Sequence, residues 1–261
     1  QDRQVREQLH AEGAGGGGGE VNVLGIQVLG NVLSLQRSVV VRAIQEAHPL
    51  GGELLNLTGV DRSMVIYYNA TLANDYKIGN LYDVVLDGQW TIDLLIQYSK
   101  DAWVDTNQSG APDMADKVGL LSSGGASAYD AFLTAFGIDM LGKTADGGLE
   151  IVWDPDKVSS AIDYNIALLN ENNGTYTDSD DTNQINKFTN DEALFWLFYI
   201  YPSAEVNTAL RNMPSGYGLL PLPKYDLNQE NYYTTAQNAY STMSIMATSK
   251  HLSEVGTVFE E

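Results

Sequence analysis

From about residue 63 onward the chain changes its hydrophobic period again and again, and each change marks an element. Ser63–Asn69 (SMVIYYN) is a short apolar, β-branched and aromatic run, which predicts a strand. Ala70–Tyr76 and Leu81–Leu86 read as short helical pieces, and the Gly79-Asn80 turn separates them. Thr91 is a good helix N-cap, Asp93 puts a negative charge in the first turn, and Ile92, Leu95, Ile96 and Ser99 recur at helical spacing. Val118–Ser122 is a strand that runs into Ser123-Gly124-Gly125. Tyr129–Phe136 is a helix with Phe132, Leu133 and Phe136 on one face.

After the turn at 145–148, Leu149–Trp153 reads as a strand. Asp154-Pro155 opens a helix with Val158, Ile162, Ile166 and Leu169 at helical spacing. Asn172–Thr182 reads as polar loop, Glu192–Tyr199 as an aromatic strand, Ser203–Arg211 as a helix and Tyr217–Pro221 as a strand. Tyr240–Ala247 is expected to be a strand and Ser253–Glu261 the start of a helix. Before residue 51 the signals are weaker: a short helix over 1–12, a glycine run at 13–19 that reads as a linker, a strand over 21–29 and a helix over 39–46. Strands alternate with helices, so the fold class is α/β.

Composition narrows the chemistry. The 261 residues carry a net charge of −20, so no basic face exists for nucleic acid or an anionic membrane surface. Cysteine is absent, which removes disulfides, thiol nucleophiles and Cys-based zinc sites. None of the 3 histidines has metal-ligand spacing or pairs with a nucleophile motif. Acids are plentiful, but none sits in a glycosidase-like motif. Fifteen tyrosines and 4 tryptophans beside many acids and amides suit a sugar or peptide ligand, and equally an ordinary core.

One loop has a metal-binding rhythm. In Asp105–Asp116 (DTNQSGAPDMAD), Asp105, Asn107 and Ser109 alternate and Gly110 supplies the turn. Ala111 can offer its carbonyl, and Asp113 and Asp116 fall at the ninth and twelfth places of a calcium loop. Calcium held by these six residues is expected to be structural. Two departures stand out: Ser109 replaces a common acid, and Asp116 is shorter than the usual Glu. An Asx-rich turn is the alternative.

The series Tyr68-Asn69, Trp90-Thr91, a Gly-Leu strand, an Ala-Leu-Phe strand and Tyr217–Tyr233 (YGLLPLPKYDLNQENYY) resembles the extracellular solute-binding proteins of ABC importers. The carbohydrate-type family that includes maltose-binding protein is the nearest group. The resemblance covers about 51–261. It implies a periplasmic-binding-protein-like fold of two α/β lobes, with the second lobe largely present and the first incomplete. In that division 1–50 is an unassigned segment with a glycine-rich linker, 51–80 and 240–261 belong to the first lobe, and 81–239 is the second. An apolar face left for missing chain or a partner is expected with it.

The same resemblance implies a non-catalytic carbohydrate receptor, outside the cell as a lipoprotein or periplasmic, that hands an oligosaccharide to a membrane permease. Its layout points to Ser122, Ser123, Tyr129, Tyr199, Tyr201, Asn238 and Tyr240 as ligand-binding residues. A calcium-stabilised adhesin or structural module, and a glycoside hydrolase, are the alternatives.

Overall fold

Six consecutive buried residues, Met64–Asn69, form strand β1, as the apolar run predicts. Asn69 then caps helix α1 (Ala70–Asp75), its side chain accepting from the Leu72 N–H at 2.9 Å. Asn80 does the same for α2 (Leu81–Leu86). Helix α3 (Ile92–Asp101) leads through the acidic loop to β2 (Val118–Ser122) and α4 (Ala126–Ala135). A hairpin of β3 (Leu141–Lys143) and β4 (Leu149–Ile151) follows, then α5 (Pro155–Leu169), where Asp154 caps and Pro155 opens the first turn. β5 (Thr175–Thr177), α6 (Asp181–Thr189), β6 (Ala193–Tyr199), α7 (Ala204–Arg211) and β7 (Tyr217–Leu220) complete the order. The computed structural model describes residues 63–200 and 204–235, together with 250, 251 and 254.

The main sheet has five strands in the order β5-β2-β6-β1-β7. β5, β2 and β6 are parallel, and β1 runs antiparallel to both β6 and β7. Helices cover both faces, so β1, β2 and β6 are buried on both sides and read as largely apolar runs, whereas the edge strand β5 (TYT) does not. On one face Ile66, Leu120, Phe195, Leu197 and Leu220 meet Leu81, Ile92, Leu95 and Phe132. On the other, Val65, Tyr67, Leu121, Trp196 and Phe198 meet Phe188 and Leu210.

The fold class is the expected α/β, but the expected boundary between 80 and 81 is not there. β1 lies inside the sheet between β6 and β7, so residues 63–80 share one core with 81–235. The cause is register: Tyr67 pairs with Trp196 on one side and Leu219 on the other. The expected elements before 63 and in 240–261 lie outside the described residues, apart from 250, 251 and 254.

Two further differences concern 141–189. The predicted strand at 149–153 is shorter and pairs only with β3, apart from the main sheet. The hairpin leaves Leu149 71% and Ile151 72% exposed. The predicted loop at 172–182 contains β5, and α6 follows it. Gln184 and Lys187 of α6 are fully buried, so half of its inward side is polar and its apolar period is broken.

Candidate functional site

β5, β2 and β6 are parallel, so their C-terminal ends share one edge of the sheet. In open α/β sheets that edge is where ligands sit. β2 ends at Ser122, which is fully buried; its hydroxyl accepts from the Gly124 N–H at 3.3 Å, and its carbonyl accepts from the Asp178 N–H at 3.0 Å. Ser123 follows and is half-buried. Gly124 has φ +64°, and a Cβ there would come within 2.8 Å of Thr177, so only glycine lets the turn lie against the end of β5. β6 ends at Tyr199, half-buried, whose carbonyl accepts from the Tyr67 hydroxyl at 3.0 Å.

Ser122, Ser123 and Tyr199 therefore stand along one edge, and Thr177 and Asp178 join them. The sequence offered little for the last two, because the three-residue β5 sits in a stretch that reads as loop. The Asp178 carboxylate accepts from the Asp180 N–H at 2.8 Å and from Asn183 at 3.1 Å, so it is held in place. Burial first, and the Asp178 charge second, push the Tyr176 hydroxyl pKa up.

Tyr129 lies one turn into α4. Its hydroxyl is engaged with Asn170 Oδ1 at 3.1 Å, and its carbonyl accepts from Asn165 Nδ2 at 3.4 Å, so it joins α4 to α5. The Tyr199 ring packs 5.7 Å from Phe198. Both tyrosines thus carry packing contacts as well as an exposed part. Tyr201, Asn238 and Tyr240 lie outside the described residues.

The acidic loop divides. Asp105 accepts from the Ser109 and Gly110 N–H groups at 3.0 and 2.9 Å. Asn107 donates to Asp113 at 2.7 Å, and the Ser109 hydroxyl donates to the Ala111 carbonyl at 2.8 Å. Five of the six expected ligands are therefore gathered on one small turn. The hydrogen bond from Asn107 heads the causes that hold the Asp113 carboxyl below its usual range.

Asp116 meets the same turn, its carboxylate accepting from the Asp113 N–H at 3.3 Å. It is fully buried, one oxygen accepting from the Thr106 N–H at 2.8 Å and the other from the Trp103 indole at 3.1 Å. Below it the fully buried Lys187 ammonium donates to the Met114 and Asp116 carbonyls, at 3.0 and 2.5 Å. Burial lowers the Lys187 pKa, and Glu192 at 3.7 Å opposes the shift. Among the described residues no group of three or more His, Cys, Asp or Glu is arranged to hold a metal ion. The turn itself offers two carboxylates, Asp105 and Asp113.

Solved structures share the fold. The galacto-N-biose/lacto-N-biose I-binding protein of an ABC transporter from Bifidobacterium longum, in complex with lacto-N-biose, matches with a TM-score of 0.52 at 14% identity, over 81% of this chain and 48% of that one. M. tuberculosis UspC matches with a TM-score of 0.50 at 16% identity, over 84% of this chain and 55% of that one. The likeness is one of fold. The chain spans about half the length of the structures it resembles. No family model matches it, and no curated protein matches it.

Proposed function

We propose that the chain is part of an extracellular carbohydrate receptor of an ABC importer, which binds its ligand without reaction at the C-terminal strand edge. The observation that carries this is the convergence of Ser122, Ser123, Thr177, Asp178 and Tyr199 on the edge where α/β lobes take ligands. Hydroxyls and a fixed carboxylate answer sugar hydroxyls, and tyrosine adds an apolar face. The fold likeness to a lacto-N-biose-binding protein supports the substrate class.

The chain also reaches this edge three times. Ser63 accepts from the Ile200 N–H at 2.8 Å, and the Met64 N–H donates to Thr235 at 2.9 Å. Such crossings suit a two-lobe receptor closing over the same edge. A permease partner, a lipid anchor or periplasmic location, and contributions from Tyr201, Asn238 and Tyr240 belong to this proposal. The test is calorimetry with lacto-N-biose and maltotriose, followed by recovery of the sugar. Binding with the sugar recovered intact is expected, and Tyr199→Ala should weaken it by about 1–3 kcal/mol. Hydrolysed sugar would replace the receptor with an enzyme. An unchanged affinity in Tyr199→Ala and Tyr129→Ala would make both rings core.

A calcium ion on the turn of Asp105, Asn107, Ser109, Ala111 and Asp113 is part of the proposal. With two carboxylates its affinity falls at the weak end, around 10⁻⁴–10⁻³ M.

A further inference from the structure

The hairpin of β3 and β4 stands apart from the main sheet, and among the described residues its strands pair only with each other. Leu141 pairs with Ile151 and Lys143 with Leu149, so these four side chains share one side of the ribbon. Leu141 is 59% exposed there, beside the still more open Leu149 and Ile151. Met140, Val152 and Trp153 are exposed as well. A two-stranded hairpin that buries so little is marginal in water on its own.

The ladder decides which backbone groups are left open. The Val152 N–H donates to the Met140 carbonyl at 3.2 Å, and the Thr144 N–H donates to the Gly148 carbonyl at 3.0 Å. Bonded and non-bonded pairs alternate in an antiparallel ribbon. Gly142–Glu150 is therefore a bonded pair, while Leu141–Ile151 and Lys143–Leu149 are not. The N–H and C=O groups of Leu149 and Ile151 point away from β3, and no hydrogen bond from a described residue reaches them. The β3 edge is guarded by the charge of Lys143. The β4 edge has two apolar side chains on that side of the ribbon, and the exposed charges along it are acidic: Asp146, Glu150 and Asp154.

We propose that the open edge of β4 is a docking site for an extended segment of another protein, apolar at alternate positions and basic between them. The segment adds a strand. Its backbone meets the open groups of Leu149 and Ile151, its apolar side chains cover theirs, and its basic side chains answer Asp146, Glu150 and Asp154. Other occupants fit less well. A second copy paired antiparallel across 149–151 would set Glu150 against its own equivalent, on a chain of net charge −20. A lipid surface would leave the same backbone groups unsatisfied. The site is separate from the C-terminal strand edge and does not rest on the carbohydrate reading.

The test is a titration of the full chain with a heptapeptide of alternating lysine and valine and with its counterpart of alternating glutamate and valine, followed by ¹H–¹⁵N amide spectra and solvent exchange. The lysine peptide should shift the Leu149 and Ile151 amides saturably and slow their exchange, and the glutamate peptide should not. Ile151→Pro removes an outward N–H and no bond of the hairpin, as proline on an edge strand allows. Read at Leu149, it should weaken binding by about ten-fold or more, while Ile151→Thr, which keeps the N–H, should weaken it less. No saturable shift, equal shifts with the two peptides, or unchanged binding in Ile151→Pro would overturn the proposal. Amides of Leu149 and Ile151 protected before any peptide is added would overturn it too, because the chain would then cover its own edge. A concentration-dependent dimer that Ile151→Pro abolishes would replace the partner with a second copy.

Discussion

The two faces of the main sheet bury similar strands under different kinds of helix. On the first, α2, α3 and α4 turn Leu81, Ile92, Leu95 and Phe132 inward. On the second, α6 turns in Gln184 and Lys187 beside Phe188, and the acidic loop adds Asp116. Each polar group there has its partner: Gln184 donates to the Asp178 carbonyl at 2.7 Å and accepts from the Trp196 indole at 3.0 Å. The first face is held mainly by packing, with one buried bond from Asn172 to the Ser99 hydroxyl at 2.8 Å beside it. The second also depends on hydrogen bonds that are costly to leave unmade. Mutations should separate the two mechanisms.

The largest effect is expected on the packed face. Gly119 of β2 lies so close to the end of α3 that a Cβ would stand 1.7 Å from the Ser99 carbonyl oxygen, and at Gly174 the same atom would be 1.9 Å away. Backbone cannot give by that much, so α3 would have to leave the sheet. Gly119→Ala should cost roughly 4 kcal/mol or more, seen as loss of the cooperative transition in urea. A stable Gly119→Ala would mean that α3 is not seated on β2 as described.

The next effect belongs to the polar face. Lys187→Met keeps the stem but leaves the Met114 and Asp116 carbonyls without their donor, at a cost of about 2–4 kcal/mol. The pH dependence identifies the cause. The folded-state pKa of Lys187 is lowered from 10.5, so between the two values the unfolded chain holds more protons and stability rises with pH. Urea melts from neutral pH upward should therefore show the gap between wild type and Lys187→Met widening as pH approaches 10.5. A gap that narrows would make Lys187 a group favoured in its charged form, and the burial account would fail.

The same contrast explains what hydropathy could reveal. β1, β6 and α3 were legible because their inward positions are apolar and regularly spaced, as in MVIYYN and ALFWLFY. α6 was not, because Gln184 and Lys187 occupy core positions that any hydropathy rule gives to solvent. β5 was hidden by being three residues long inside a polar run. At the strand edge, Ser122 and Tyr199 could be named from where their strands end, whereas Thr177 and Asp178 required a strand that the pattern does not announce. Trp103 and Thr106 claim Asp116 through tertiary contacts, which loop spacing cannot encode.

The smallest effect divides the acidic loop itself. If the turn of Asp105, Asn107, Ser109, Ala111 and Asp113 takes calcium, the ion binds only the folded chain. At ten times its dissociation constant it adds about 1.4 kcal/mol, a modest rise in melting temperature. Asp113→Asn removes one of two carboxylates and should abolish that rise while leaving the metal-free stability close to wild type, since Asp113 is partly exposed. Asp116→Asn should do the reverse. It is fully buried and bonded to Trp103 and Thr106, so the metal-free protein should lose stability while the calcium-dependent increment survives. Scanning calorimetry with calcium and with a chelator distinguishes these outcomes. No increment in the wild type removes the ion from the turn. An increment lost equally in both variants returns Asp116 to the ligand set and joins the turn to the buried face beneath it.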